Sequence, residues 1–212
     1  MALMCRCVLY PRCKLFVTSG GKEQAASILS SKVQEICTLI PAFAREIDWR
    51  RGKTQESKDH CKYIFKNGSE LDNLAARESS RGQRRHGGVV EECVGVDDKI
   101  LREVIIPTMA VSRRALDGTV HKEEPLNKSQ VFITTAGYKN TFPYDRLIGF
   151  LVRMLMQPER CMVLGGTWRL PVKVGLQDST FIQDMKDEGE HMLVPYKTLP
   201  VFSQGSAYKI AG

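Results

Sequence analysis

The sequence lacks the short signatures of several common enzyme classes. It contains no Gly-x-x-x-x-Gly-Lys-Ser/Thr loop, no Gly-x-Ser-x-Gly elbow and no His-Glu-x-x-His pair. Walker A phosphate loops, α/β-hydrolase nucleophiles and zincin metal sites in their usual forms are therefore excluded. No apolar run reaches the ~18 residues that a membrane-spanning helix needs. Met1–Tyr10 is mildly apolar, but it carries Arg6 and lacks a small-residue cleavage site, so it does not read as a signal peptide. No Cys-x-x-Cys occurs, Cys5 and Cys7 stand too close for a typical zinc pair, and His60, His86, His121 and His191 show no ligand spacing. Aromatics are few, at 8%, and Trp49 and Trp168 read as packing residues rather than base-stacking platforms. There is no internal repeat and no low-complexity tract.

What is present suits one α/β domain, alone or with a tail. The chain has 212 residues, 42% hydrophobic and 26% charged, enough to fill a core. Seven scattered cysteines are expected as buried thiols in a reducing cytoplasm, ahead of zinc ligation or disulfides. The formal net charge of +7 is compatible with a polyanionic partner, though many basic proteins never touch nucleic acid. Clustering says more: Arg77, Arg81, Arg84 and Arg85 crowd one stretch with Glu78, and Arg45, Arg50, Arg51 and Lys53 form a second group.

Along the chain, Lys14–Thr18 is a β-favouring run that ends at Ser19-Gly20-Gly21. Ala25, Leu29, Val33, Ile36 and Ile40 then form one helical face, stopped by Pro41. Asp48–Asp59 is highly charged and expected to be exposed. Tyr63–Phe65, Asn67-Gly68 and Leu71–Leu74 predict a β-hairpin, because Asn-Gly supplies the positive φ angles of a tight turn. Ala75–Gly88 reads as a basic loop and Gly88–Glu91 as a short apolar strand ending in acids. Asp97 caps a predicted helix through Ile106, ended by Pro107. Val111–Asn127 reads as a connection, Gln130–Thr135 as a strand, Tyr144–Met156 as a helix with Leu147, Ile148, Leu151, Met154 and Leu155 inward, and Cys161–Leu164 as a further strand. Strands alternating with helices predict a three-layer α/β domain with a mostly parallel sheet. Ligands of such sheets gather at the carboxyl ends of the strands. That singles out Ser19–Gly21, Glu91-Glu92, Thr134–Gly137 and Gly165–Thr167.

Three groups there have chemistry to offer. An apolar strand ending in Glu91 and Glu92 can set one carboxylate near a Mg²⁺ ion and the next near the water that attacks a γ-phosphate. The plainer alternative is a solvated strand end. Arg81, in Ser79-Ser80-Arg81-Gly82, can neutralise charge on a transferring phosphoryl group, or can simply be part of a basic surface loop. Thr134 and Thr135 can sense a γ-phosphate or a water, or can merely suit a strand and turn.

The order of Val8–Pro11, KLFVTSGGKEQA, FKNGSELDNL, ESSRGQRRHGGVVEEC and QVFITTAGY resembles the ATPase domain of large terminase subunits of phages and prophages, over roughly Tyr10 to Asp187. The resemblance implies a RecA-like, P-loop-type ATPase fold with an inserted hairpin, made incomplete by the missing Walker A loop. It matches Val89-Val90-Glu91-Glu92 to the Walker B segment, with Glu91 assisting Mg²⁺ where the family more often has Asp, and Glu92 as catalytic carboxylate. Arg81 matches an arginine that acts on a neighbouring subunit's ATP. Thr134 and Thr135 match a motif coupling hydrolysis to DNA motion. It implies ATP and Mg²⁺ as cofactors in the intact protein. Its implied partners are double-stranded DNA, a portal protein, a small terminase subunit and a homo-oligomeric ring. Its implied location is the bacterial host cytoplasm and, transiently, the procapsid, with no membrane. The expected organisation is a partial ATPase domain over 1–188. A divergent tail over 189–212 stands in place of linker and nuclease domain, so that the chain is a fragment inactive alone. A non-enzymatic basic nucleic-acid-binding or assembly module, and a related helicase-type translocase, are the alternatives.

Overall fold

The computed structural model describes residues 1–50, 52–120, 122, 124, 127–134, 141–165 and 169–184. The chain separates into two compact units, Met1–Ile133 and Thr134–Gly212.

The first unit is built on a sheet. Its elements are α1 (Ala2–Leu9), β1 (Lys14–Thr18), α2 (Lys22–Leu39), α3 (Pro41–Glu46), β2 (Gln55–Glu56), β3 (Cys61–Ile64), β4 (Glu70–Asn73), β5 (Gly87–Val90) and β6 (Ser129–Phe132), with a helical segment between β5 and β6. The strand order is β2-β3-β4-β1-β5-β6. β4, β1, β5 and β6 run parallel, and β2 and β3 extend the sheet antiparallel from β4. This is the predicted mostly parallel sheet flanked by helices, with the hairpin joined directly to it.

Position in the sheet explains the sequence of β1. A central parallel strand is covered on both faces, so it reads as a continuous apolar run rather than an alternating one. Leu15, Phe16, Val17 and Thr18 are all buried. Leu15 and Val17 share one core with Met4 and Cys7 of α1 and Ala26, Leu29, Val33 and Ile36 of α2. Phe16 points to the opposite face, as the period of two requires. Its ring lies so close to Gly88 that a β-carbon there would stand 2.6 Å from it. The hairpin turns where predicted, at Asn67-Gly68, but only Gly68 takes a positive φ, +82°; it donates its N–H to the Phe65 carbonyl at 2.9 Å. Asn67 adds a second duty, its amide nitrogen donating to the carbonyls of Cys7 (2.8 Å) and Val8 (2.9 Å) at the end of α1. Those carbonyls lie in the last turn of the helix, beyond the reach of its own N–H groups.

Four expectations for this unit change. First, Asp48 is buried rather than exposed, and accepts from Arg50 Nε at 2.8 Å. Second, Arg85 belongs to the interior, not to a basic loop: it pairs with the buried Asp72 through Nε–Oδ1 at 3.0 Å and a second Nη2–Oδ2 contact. Third, the helix capped by Asp97, whose carboxylate accepts from the Ile100 N–H at 2.9 Å, does not stop before Pro107. It passes through α-helical Asp98–Ile100 (α4) and a π-helical turn, Leu101–Ile105, into Ile106–Thr108 (α5). Pro107 has no N–H for the Glu103 carbonyl one turn back; Arg81 Nη1 donates to that carbonyl instead, at 3.2 Å. Fourth, β6 ends at Phe132, short of Thr135.

The amino-terminal ends of the parallel strands form a closed polar floor. The His86 N–H donates to the Lys14 carbonyl at 2.7 Å, and its Nδ1 accepts the Lys14 N–H at 2.9 Å. Arg6 reaches the His86 carbonyl at 3.2 Å and the Ser129 hydroxyl. In the connection that follows, Arg113 pairs with Glu124 at 2.8 Å with both side chains only 7% exposed, and donates to the Pro11 carbonyl at 2.9 Å.

The second unit contains α6 (Phe142–Met156) and α7 (Arg169–Lys173). On α6, Leu147, Leu151 and Met154 are half-buried, whereas Ile148 is exposed and Leu155 is 83% exposed, so the inward face is narrower than expected. Cys161–Leu164 is not a strand. Its Val163 N–H is turned to the Met154 sulfur at 3.3 Å instead of a neighbouring strand. Of the seven free cysteines, Cys7, Cys13, Cys61 and Cys93 are buried as expected, whereas Cys5, Cys37 and Cys161 are only half-buried. Among the described residues no helix is long and apolar enough to cross a membrane. The predicted tail over 189–212 lies outside the described residues.

Candidate active site

Parallel strands end on the same rim of a sheet. Val90, the last residue of β5, lies in register with Thr18 on one side and Phe132 on the other. Beyond that register the chain stays tightly bonded: Glu91 N–H donates to the Thr18 carbonyl at 2.7 Å, Ile133 N–H to the Val90 carbonyl at 2.9 Å, and Cys93 N–H to the Ile133 carbonyl at 3.1 Å. The backbone of Glu91–Cys93 is thus pinned from both sides, which fixes where the two acids leave the sheet.

Between those pins Glu92 takes φ 51° and ψ 51°, a left-handed conformation that non-glycine residues seldom adopt. Its carbonyl accepts from Gly95 N–H at 2.8 Å, closing the tight turn Cys93–Gly95. Such strain is held in place by its surroundings and is frequent at functional sites, but Arg12 (φ 60°) and Lys128 (φ 62°) share the conformation, so by itself it does not mark the rim. Glu91 is half-buried. Burial raises the pKa of its carboxyl, and the adjacent charge of Glu92 raises it further. The two carboxylates are hard oxygen donors, but among the described residues no group of three or more His, Cys, Asp or Glu side chains comes together as a metal site. Beside them, Thr18 is fully buried and its hydroxyl has no hydrogen-bond partner among the described residues.

The turn after β1 completes the rim. Gly20 lies against Gly95, and a β-carbon on Gly20 would stand 2.6 Å from the Gly95 carbonyl oxygen. Only glycine allows the β1–α2 turn and the Glu92 turn to approach so closely. Gly21 caps α2 with no side-chain bond to the helix, and the Ser19 hydroxyl donates to Gln24 Oε1 at 2.9 Å.

The structure therefore gathers Ser19–Gly21, Glu91 and Glu92 on one rim. Arg81 is not bonded to them: its guanidinium is held by the Glu78 carboxylate (2.7 and 3.0 Å) and the Glu103 carbonyl. Thr134 is the first residue of the second unit, and Thr135, Ala136, Gly137, Gly166 and Thr167 lie outside the described residues. Sequence reasoning passed over Thr18, whose only signal was a hydroxyl ending an apolar run.

No family model and no curated protein matches this sequence. Solved structures resemble it. A large terminase from a thermophilic bacteriophage superposes with a TM-score of 0.48 at 8% identity, over 76% of this chain and 34% of that one. The large terminase ATPase domain of Thermus phage P74-26 gives 0.40 at 14% identity, over 74% of this chain and 76% of that one. The chain thus spans about a third of the length of the first of these, the thermophilic phage's terminase. Likenesses this distant carry no functional argument; the fold class rests on the strand order and pairings of this chain.

Proposed function

We propose that this chain is part of a DNA-packaging motor ATPase of the large terminase kind, and that the Glu91–Glu92 rim is its hydrolytic edge. The observation that carries the reading is the pair itself: adjacent carboxylates at the carboxyl end of a parallel sheet, one half-buried with a raised pKa, the next in a left-handed turn. Structural demands alone favour neither. The order of motifs in the sequence supplies the rest.

In this reading Glu91 helps hold Mg²⁺ and Glu92 orients a water. ATP with bound Mg²⁺ supplies the phosphoryl group and the charge that neutralises it. Arg81 serves a neighbouring subunit's nucleotide, and Thr134 and Thr135 couple hydrolysis to movement of double-stranded DNA. The assembled partners are other copies in a ring, a portal protein and a small terminase subunit, in the bacterial host cytoplasm and on the procapsid. The lysine and hydroxyl of a phosphate loop are not among these residues, so the chain by itself should turn over ATP at close to background.

The test is a thermal melt with and without millimolar Mg²⁺, beside a DNA-stimulated ATPase assay. Mg²⁺ is expected to raise the midpoint, and Glu91→Gln to abolish that rise. A melt indifferent to Mg²⁺ removes the metal role. A turnover rate like that of a complete motor contradicts the dependence on a phosphate loop.

A further inference from the structure

The two basic clusters of the sequence have different fates. In the first, Arg85 is consumed by the buried Asp72 and Arg81 by Glu78. The second lies where α3 meets the hairpin, around a shallow open cleft of about 600 Å³ whose lining includes Arg45, Asp48, Trp49, Arg50 and Lys66. Trp49 reads from the sequence as a packing residue, yet it is 54% exposed. It is also fixed: its Nε1–H donates to the Ala44 carbonyl at 2.7 Å, and its ring meets the buried Tyr63 edge-on, centroids 6.2 Å apart at 82°. A floppy surface indole would lose conformational freedom on binding a ligand; this one has already lost it. Of the cations, Arg50 is paired with Asp48. Among the described residues neither Arg45 nor Lys66 has an acidic partner.

We infer that this cleft binds a segment of single-stranded nucleic acid, one base stacked on Trp49 and the flanking phosphates on Arg45 and Lys66. Every base has a π face, so a held aromatic with cations to either side takes a single strand with little regard to sequence. A duplex keeps its bases stacked on one another and has no free face to offer. A protein partner would have to match two unpaired cations around one flat ring with acids; a nucleotide backbone carries a charge at every step. The site is separate from the Glu91–Glu92 rim and needs neither ATP nor Mg²⁺.

The experiment is anisotropy of a labelled oligothymidylate and of a duplex of equal length, titrated with the full chain at two salt concentrations without nucleotide. The single strand is expected to bind the tighter. Trp49→Ala should weaken it by about 5- to 150-fold, the range of one lost base stack, and Trp49→Phe should restore most of the loss. Arg45→Gln with Lys66→Gln should lower the slope of log affinity against log salt by about 1.4, two phosphate contacts to a single strand. The glutamine pair leaves the Trp49–Tyr63 packing alone, so it guards against a Trp49→Ala variant that merely unfolds. Duplex binding as tight as single-strand binding, or an affinity unmoved by Trp49→Ala and by the glutamine pair alike, overturns the inference. A protein captured through this face with no nucleic-acid binding would overturn it too. None of these results bears on Mg²⁺ at Glu91, so this site and the hydrolytic rim stand or fall separately.

Discussion

The two ends of the parallel sheet treat their polar groups in opposite ways. At the amino-terminal floor His86, Lys14, Arg6 and Ser129 are joined in one set of bonds, and close by Asp72 is paired with Arg85. At the carboxyl rim the Thr18 hydroxyl has no hydrogen-bond partner among the described residues, and burial together with the charge of Glu92 raises the pKa of Glu91. The same strands build both ends, so the difference is not one of scaffold. The floor holds the fold, whereas at the rim the backbone is tied down but, among the described residues, the buried Thr18 hydroxyl is left without a hydrogen bond, at a cost in stability. Substitutions at the two ends should therefore differ in sign.

The largest effect is expected at Asp72–Arg85. Asp72→Asn leaves the Arg85 guanidinium buried, at 9% exposure, without its counter-charge. Removing one member of a buried pair costs about 3–5 kcal/mol, because the surviving charge stays desolvated. Urea denaturation should show the unfolding free energy lowered by that amount, seen as a lower midpoint with an unchanged slope. A loss below ~1 kcal/mol would mean that water reaches Arg85 and that the floor is not closed.

The next effect is a dependence on pH. Burial, with help from the positive charges of Arg6 and Lys14, lowers the pKa of His86 to about 4 from an ordinary 6.5. Below pH 6.5 the unfolded chain takes up a proton that the folded chain refuses until about pH 4. Stability is therefore intact above pH 6.5 and falls as the pH drops through that window, by on the order of 3 kcal/mol in all. His86→Asn keeps an acceptor for the Lys14 N–H but does not titrate. Melts of the two proteins at several pH values should diverge as the pH falls from 6.5 to 4 and run parallel above it. Parallel curves throughout would place the acid sensitivity elsewhere.

How much of this was legible in the sequence follows from how local each feature is. β1, the turn at Gly68 and the stripe of α2 are written in neighbouring residues, and the structure keeps all three. The failures are non-local. Cys161–Leu164 has strand-like residues, but a strand also needs a neighbour's open edge, and Val163 found the Met154 sulfur instead. Arg85 reads as one more loop arginine until β4 sets Asp72 opposite it, and Pro107 reads as a stop until Arg81 supplies the bond that proline cannot. The candidate site was legible as residue types, an apolar strand ending in acids. Its geometry was not. The left-handed turn at Glu92 depends on bonds from Glu91 to Thr18 and from Cys93 to Ile133, which join three strands distant in sequence.

That turn yields the smallest prediction and the one most specific to the rim. At φ 51° a β-carbon is crowded by its own backbone, and a non-glycine residue there costs of order 1 kcal/mol. Glu92→Gly relieves the crowding. It also makes the unfolded chain more flexible, which offsets part of the gain. The net result expected is a rise of at most about 0.5 kcal/mol in unfolding free energy, while Glu92→Val, β-branched at the same φ, lowers it. A glycine substitution that stabilises, at a residue whose acidity the proposed chemistry needs, is the signature of a position held against its own stability. If Glu92→Gly destabilises as an ordinary surface glycine would, the turn relaxes in solution, and Glu92 is not a position held against its own stability.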